Sequence, residues 1–304
     1  MSEGISQIQT EFPVPGFKEH PRTYAYYPGC SLHSTGLEYG LSTRAVFQHL
    51  DLELIELPNW NCCGASSAHA LNHILGLALP ARNLALAQAT GRDLVTPCAA
   101  CFSRMKSADY TLRTDLKMRT KIEAVVGFHF TGQVAVRPGM AVLYEVCGTD
   151  RITAQVRRPL TGLKVVPYYG CLLVRPPQVT QFDDPDDPQV MTELLRATGA
   201  EVMPWSYATD CCGAGLSLSR SDVVQNLVSR LVARAWEARA DVLVTACPLC
   251  QVNLEMRQTV EPRMPAFYFT ELLGLALGLP EARKWWSKHL VDPRPLLRSV
   301  GLLE

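Results

Sequence analysis

The chain has 304 residues, 47% of them hydrophobic, and its 29 Lys and Arg balance 29 Asp and Glu. Formal neutrality excludes the basic footprint expected of a protein whose main partner is nucleic acid or an anionic membrane, while the length and apolar share suffice for two modest domains or one bilobed unit. Eleven cysteines in a chain with no secretory pattern argue against a disulfide framework, because cytosolic thiols stay reduced and dense cysteine there signals metal or redox chemistry.

In chain order, residues 1–20 are polar, contain two prolines and lack a basic start with an apolar stretch, so they are expected to form a loose arm. A β-rich run, RTYAYYP, then leads into Cys30, with His33 three residues later. A second run, LELIELP, leads through Trp60 and Asn61 into the adjacent pair Cys62 and Cys63, followed by Gly64. Pro80 suits a first helical position and Gly91 a helix terminus. VTPCAAC brings Cys98 and Cys101, FHFT spans Phe128 to Thr131, and a segment from about Gly132 to Leu160 joins the two halves. In the second half the landmarks recur: KVVPYYG to Cys171, DCCG with Cys211 and Cys212, an apolar helical stripe of Val224, Leu227, Val228, Leu231 and Ala235, VLVTAC to Cys247 and Cys250, and FYFT at Phe267 to Thr270. The run FYFTELLGLALGL is too short for a membrane span and is expected to be a buried helix.

The cysteine pair and the Cys-x-x-Cys are separated by 34 residues in both halves, whereas the first gap is 31 in one and 39 in the other. Structure therefore holds the second gap fixed, and the extra length falls near QFDDPDDPQ, a surface-loop composition. Alternation of strand and helix implies parallel pairing in each half. The expected organisation is α/β: an arm at 1–20, a first domain at 21–146 and a second at 147–304, related by pseudo-symmetry, each a small parallel sheet with flanking helices.

At a strand-to-helix turn, Cys98 and Cys101, like Cys247 and Cys250, fall at a helix start whose positive end favours thiolates. Adjacent cysteines in extended chain point to opposite faces, so Cys62 with Cys63 and Cys211 with Cys212 need a sharp bend, which Gly64 and Gly213 permit. Zinc requires four thiolates and each half offers five. A thioredoxin-like dithiol would use two and leave three per half unexplained. Iron–sulfur clusters use thiolates in this abundance, with four as the usual count.

YYPGC, WNCCG, PCAAC, YYGC, DCCG, CPLC and FYFTELL together resemble the CCG-domain family over essentially the whole chain, and within it the B-type subunit of heterodisulfide reductase. The resemblance implies two noncubane [4Fe-4S] clusters, one held by Cys30, Cys62, Cys63, Cys98 and Cys101 and the other by Cys171, Cys211, Cys212, Cys247 and Cys250, with one thiolate of each set bridging irons. It implies that the clusters lie close together and cleave, or in reverse form, a small-molecule disulfide. It also implies a ferredoxin-like iron–sulfur subunit and a flavoprotein subunit as partners, in a cytoplasmic or membrane-associated complex. The chain carries no dinucleotide fingerprint, so electrons are expected from another protein. The alternative is an electron relay that binds no substrate, including one in a sulfur-oxidation complex.

Outside the ten cysteines, His33 is a candidate proton donor to a leaving thiolate, and Val174 stands at its place in the second copy. Cys147, in MAVLYEVCG, has no counterpart and is expected to be a buried helix residue. His129, matched to Tyr268, is expected to pack in the core. Trp60, Asn61 and Asp210 precede the cysteine pairs and are placed either to tune cluster sulfurs or to serve the turn. Arg157 and Arg158 read as surface charge.

Overall fold

A computed structural model describes residues 21–65 and 67–303; the expected arm at 1–20 lies outside the described residues. The first half carries β1 (Thr23–Tyr26), β2 (Glu53–Glu56), β3 (Leu94–Thr96) and β4 (Val136–Pro138), and the second carries β5 (Lys164–Tyr168), β6 (Glu201–Val202), β7 (Val242–Thr245) and β8 (Ala266–Tyr268). Each set forms a four-stranded sheet of the same order, β2-β1-β3-β4 and β6-β5-β7-β8, and every pairing is parallel. Central strands are buried on both faces, as in Tyr24, Ala25 and Tyr26 of β1 or Val242, Leu243 and Val244 of β7, because helices cover both sides of a parallel sheet. The edge strand β2 instead alternates between exposed Glu53 and Ile55 and half-buried Leu54 and Glu56.

The β-rich runs before the cysteines are strands, and the stripe on Val224, Val228, Leu231 and Ala235 is the buried face of the helix Ser221–Glu237. Three expectations are corrected. Pro80 does not open a helix: it lies inside the helix His73–Thr90, which starts where the Asn72 side chain accepts the Leu75 N–H at 3.0 Å and ends, as expected, on Gly91 at φ 64°. The segment 132–160 is more than a connector, since it supplies β4 and the helices Gly139–Val142 and Gly148–Ala154.

The third correction concerns FHFT and FYFT, which are not structurally equivalent. FYFT spans the end of β8 and the start of the helix Phe269–Ala276, whereas FHFT lies in a loop, and the counterpart of β8 is β4. The first half inserts a whole extra helix, Leu116–Val126, before its fourth strand, which shifts the aromatic string out of register. His129 is accordingly 80% exposed, with Nδ1 3.3 Å from Glu123, rather than packed in the core as Tyr268 is. Cys147 is buried, at the end of a helical turn over Leu143–Cys147.

The halves meet through the helices Leu37–His49 and Phe269–Ala276. Ser42 and Thr270 hydroxyls hydrogen-bond at 2.7 Å, and Tyr39 stacks on Tyr268 with centroids 4.2 Å apart. Among the described residues no helix is long and apolar enough to cross a membrane.

Candidate metal centre

The carboxyl ends of β1, β3, β5 and β7 carry the cysteines, so each sheet delivers its thiols to one rim. Cys98 is the N-cap of the helix Ala99–Thr114, and Cys247 is the N-cap of Pro248–Met256, whose first residue is proline. The next cysteine of each pair, Cys101 or Cys250, lies one turn on and is buried. Gly64 and Gly213 adopt φ 77° and 78°, and each folds its amide back onto the first sulfur of the preceding pair: Gly64 N–H donates to Cys62 Sγ at 3.4 Å and Gly213 N–H to Cys211 Sγ at 3.3 Å. This is the bend the adjacent cysteines require.

In the first half the Cys63 and Cys101 sulfurs are 3.4 Å apart and those of Cys30 and Cys62 4.0 Å. The second half repeats the first of these distances, with Cys212 and Cys250 at 3.4 Å, and its Cys171 and Cys211 thiols also hydrogen-bond. Cys98 contacts Cys101 in its own half and Cys247 across the junction, where Ala99 N–H also donates to Ala246 O at 3.3 Å. All ten candidate cysteines therefore fall into two groups of five that touch through Cys98 and Cys247, and Cys147 belongs to neither.

Electrostatics divide each group into donors and acceptors of the S–H bond. Hydrogen bonds from Cys101 and Cys62 hold Cys63 down at about 3, and the bond from Cys171 holds Cys211 at about 6. Cys250 and Cys98 hold Cys247 well below the ordinary thiol value. The donors are pushed up: Cys62 by Cys63, Cys101 by Cys63 and Cys98, and Cys250 by Cys212 and Cys247, each with burial adding to the effect. Like charges this close cannot all ionise unless a cation gathers them. A donor set of ten thiols, partly ionised and partly protonated, fits a sulfur-rich metal group. Among the described residues no three His, Cys, Asp or Glu converge in the geometry of a single metal ion. That is the arrangement to expect if several metal atoms share each set.

The backbone leaves these sulfurs room. Gly29 adopts φ 71° and ψ 168°, a region open essentially to glycine, and a Cβ there would stand 2.9 Å from Cys101 Sγ. Gly170 is the matching position, 3.3 Å from Cys250 Sγ. Gly29→Ala is expected to lose the first metal group and keep the second, read as a fall of about half in bound iron by chemical analysis; unchanged iron would show that Cys101 tolerates displacement.

The residues around the sulfurs are only partly duplicated. Tyr27 Oη donates to Asn61 O at 2.9 Å and Tyr168 Oη to Asp210 O at 2.7 Å, so an equivalent buried tyrosine pins each cysteine-pair loop. Asn61 donates to Cys62 O at 2.9 Å and Asp210 pairs with Arg230 at 3.1 Å; both serve the turn rather than touching a sulfur. His33 is half-exposed, stacks on Trp60 at 5.5 Å and lies 3.3 Å from Glu56, which also accepts from Trp60 Nε1 and pairs with Arg44. Asn253, which the spacing does not single out, donates to Cys212 O at 3.3 Å and reaches Cys212 Sγ at 3.7 Å. Arg158 caps Leu302 O near the C-terminus, away from the cysteines.

In the second half the extra residues make a built loop. Asp183 accepts the Gln189 and Val190 amides at 2.9 and 2.8 Å, Phe182 packs on Phe102 of the other half, and Arg175 binds Asp186 at 2.9 Å. The loop walls an open cleft of about 560 Å³ lined by Cys171, Leu172, Arg175, Pro176, Pro177 and Pro185.

Comparison with known proteins supplies a context for this centre. A family model described as a cysteine-rich domain (CCG) matches residues 24–106 and 165–255, more than half of the chain. The 8-methylmenaquinol:fumarate reductase membrane anchor subunit of Wolinella succinogenes is 29% identical over 90% of this chain and 99% of its own length. The B-type subunit of the ferredoxin:CoB-CoM heterodisulfide reductase of Methanosarcina mazei is 28% identical over 78% of this chain and 83% of that protein. A probable glycolate oxidase iron-sulfur subunit of Bacillus subtilis is 22% identical over 87% of this chain and 57% of its own. A crystal structure of a hypothetical protein from Helicobacter pylori superposes with a TM-score of 0.66 over 89% of this chain and 52% of that one, and at 11% identity it speaks to the fold alone. With the duplicated cysteine sets and the matched pair of parallel sheets, the chain belongs to the CCG cysteine-rich domain family, carrying two copies of that domain.

Proposed function

We propose that the protein is an iron–sulfur redox subunit of a heterodisulfide-reductase-like complex, in which each half holds a [4Fe-4S] cluster of the noncubane type and the pair reduces, or in reverse forms, a small-molecule disulfide. The observation that carries this reading is the contact of Cys98 with Cys247, which brings two five-thiol sets side by side. Reducing one disulfide takes two electrons and two protons and yields two thiols, so two adjacent one-electron centres match the stoichiometry. A bound cluster would supply those electrons and an electron-poor iron that stabilises developing thiolate charge.

The chain's own side chains do the rest. Cys30, Cys62 and Cys211 are exposed and Cys171 borders the open cleft, so a small thiol has access to both sets, while Cys63, Cys98, Cys101, Cys212, Cys247 and Cys250 are buried and keep the remaining sulfurs from water. His33, held between Glu56 and Trp60 and three residues beyond Cys30, is placed to hand a proton to a leaving thiolate at the first set. The Methanosarcina relative supports subunits of a larger assembly as partners, namely a ferredoxin-like iron–sulfur subunit and a flavoprotein subunit. The Wolinella relative, named a membrane anchor subunit, supports a membrane-associated complex.

That relative and the Bacillus one also favour a second reading, an electron relay without a disulfide substrate, because their names mention none. Anaerobic purification, iron analysis and electron paramagnetic resonance decide between them. About eight irons per chain are expected. Addition of small thiols or disulfides to the oxidised protein is expected to change the spectrum. Clusters indifferent to every thiol leave the relay, and stoichiometric zinc without iron overturns both.

A further inference from the structure

Behind the Cys98 and Cys247 contact lies a buried group of ionisable side chains that the cysteine chemistry does not use. His289 Nδ1 is 2.9 Å from Glu255 Oε1, its Nε2 is 3.0 Å from Glu271 Oε1, and all three side chains are fully covered. Glu255 also accepts the Leu290 amide at 2.6 Å, and Glu271 accepts the Tyr268 amide at 2.9 Å. A fourth group, Glu38, is 2% exposed in the first turn of the helix Leu37–His49 and makes no ion pair among the described residues. The charged groups that act on it come from three packed elements: Glu271 on Phe269–Ala276, His289 on the C-terminal segment and Glu255 on Pro248–Met256. Arg283, Lys284 and Lys288 on the neighbouring turns are exposed to solvent.

One imidazolium cannot neutralise three carboxylates. Glu255 and Glu271 share it and have backbone donors besides, which leaves Glu38 as the carboxyl whose charge is uncompensated. Burial, with Glu271 and Glu255 adding to it against the pull of His289, raises Glu38 to about 7, where it exchanges a proton near neutrality.

A pair of aromatic rings links this carboxyl to the cysteines. A Cβ at Gly36, two residues before Glu38, would meet Pro248 at 3.1 Å and Tyr268 Oη at 3.2 Å, and Pro248 lies between Cys247 and Cys250. Tyr268 is fully buried and its hydroxyl has no hydrogen-bond partner. The ring stacked on it, Tyr39, donates to Pro97 O at 2.9 Å and Ala246 O at 3.4 Å, the carbonyls just before Cys98 and Cys247. Charge on Glu38, Glu271 and Cys247 is felt at the same Tyr268 hydroxyl. The carboxyl and the shared sulfurs are thus separated by one low-dielectric layer in which charges interact strongly.

We propose that Glu38 is the proton-coupling residue of this centre: when an electron enters the metal group held at Cys98 and Cys247, Glu38 takes up a proton. The balance is one electron from an external one-electron donor onto the metal group and one proton from solvent onto the Glu38 carboxylate, with no bond to sulfur made or broken. His289 lies between exposed Lys288 and Leu290, which gives the proton a short way in. The inference rests on the iron–sulfur reading and is independent of whether a disulfide is the substrate.

Redox titration of the anaerobic holoprotein with dithionite, followed by electron paramagnetic resonance over about three pH units around neutrality, tests it. The native midpoint potential is expected to fall as pH rises, by up to about 59 mV for each tenfold drop in proton activity. Glu38→Gln is expected to flatten that slope at unchanged iron content, and Glu38→Asp to restore it. Reduction of the native protein is expected to add a carboxylic C=O band to the infrared difference spectrum, absent from Glu38→Gln. A slope equal in Glu38→Gln and native protein, or a native potential that ignores pH, overturns the proposal. If Glu38→Gln does not accumulate, the native infrared band decides, and its absence overturns the proposal. Spectra indifferent to thiols alongside a Glu38-dependent slope would sustain this inference while removing the disulfide reaction.

Discussion

Cys212→Ser is expected to remove the metal group of the second half and leave that of the first, so that iron falls by about half, from about eight to about four per chain. Cys212 is 3% exposed, its sulfur lies 3.4 Å from Cys250, and its backbone carbonyl is held by Asn253, so a serine there would keep its position and lose only the thiolate. Cys63→Ser is expected to do the reverse, since Cys63 occupies the same place against Cys101. Cys147→Ser is the control and is expected to leave iron unchanged, because Cys147 is buried beside neither set. Iron analysis of the purified variants, with spin counting, reads the result. Loss of all iron from either single variant would show that the two sets assemble as one unit through Cys98 and Cys247.

The independence expected of the halves was legible in the sequence because the fixed interval from cysteine pair to Cys-x-x-Cys covers a helix and a strand. The helix is His73–Thr90 in one half and Ser221–Glu237 in the other, and the strand β3 or β7 ends just before a helix N-cap. An insertion in that interval would rotate the helix face or displace the cap. The bend after each cysteine pair was legible for a local reason, since only glycine adopts φ near 77° without strain.

The rest of the structure depends on contacts between distant segments. FHFT reads as a repeat because four aromatic-rich residues match easily, and the extra helix Leu116–Val126 that breaks the correspondence has no counterpart to reveal it. Pro80 reads as a helix start because its missing N–H is harmless there, yet the Asn72 cap fixes the start earlier. The group around His289 was not legible at all. Its members come from four separate segments, and the sole local sign is a glutamate, Glu271, inside the otherwise apolar FYFTELLGLALGL.

His289→Ala is expected to destabilise the fold by about 3–5 kcal/mol, the range for removing one partner of a fully buried ion pair. The ring is covered completely and bridges two carboxylates on different helices, so its loss leaves Glu255 and Glu271 buried without a cation and also unties the C-terminal segment from both helices. Burial works against the charged ring, but Glu271 and Glu255 outweigh it and hold His289 well above its ordinary value. A histidine whose folded value is raised contributes stability that is fully present below its unfolded value of about 6.5 and is lost as pH rises through the folded value. The native chain should therefore grow less stable on the alkaline side, and His289→Ala should lack that decline while being less stable at neutral pH. Urea unfolding across a pH series measures both effects. A variant within about 0.5 kcal/mol of native at neutral pH would mean that the two carboxylates are already protonated and that the ring carries no charge to lose. The same result would bear on Glu38, because a neutral His289, Glu255 and Glu271 would leave it the sole charge in the layer facing Cys247 and would strengthen its coupling to an arriving electron.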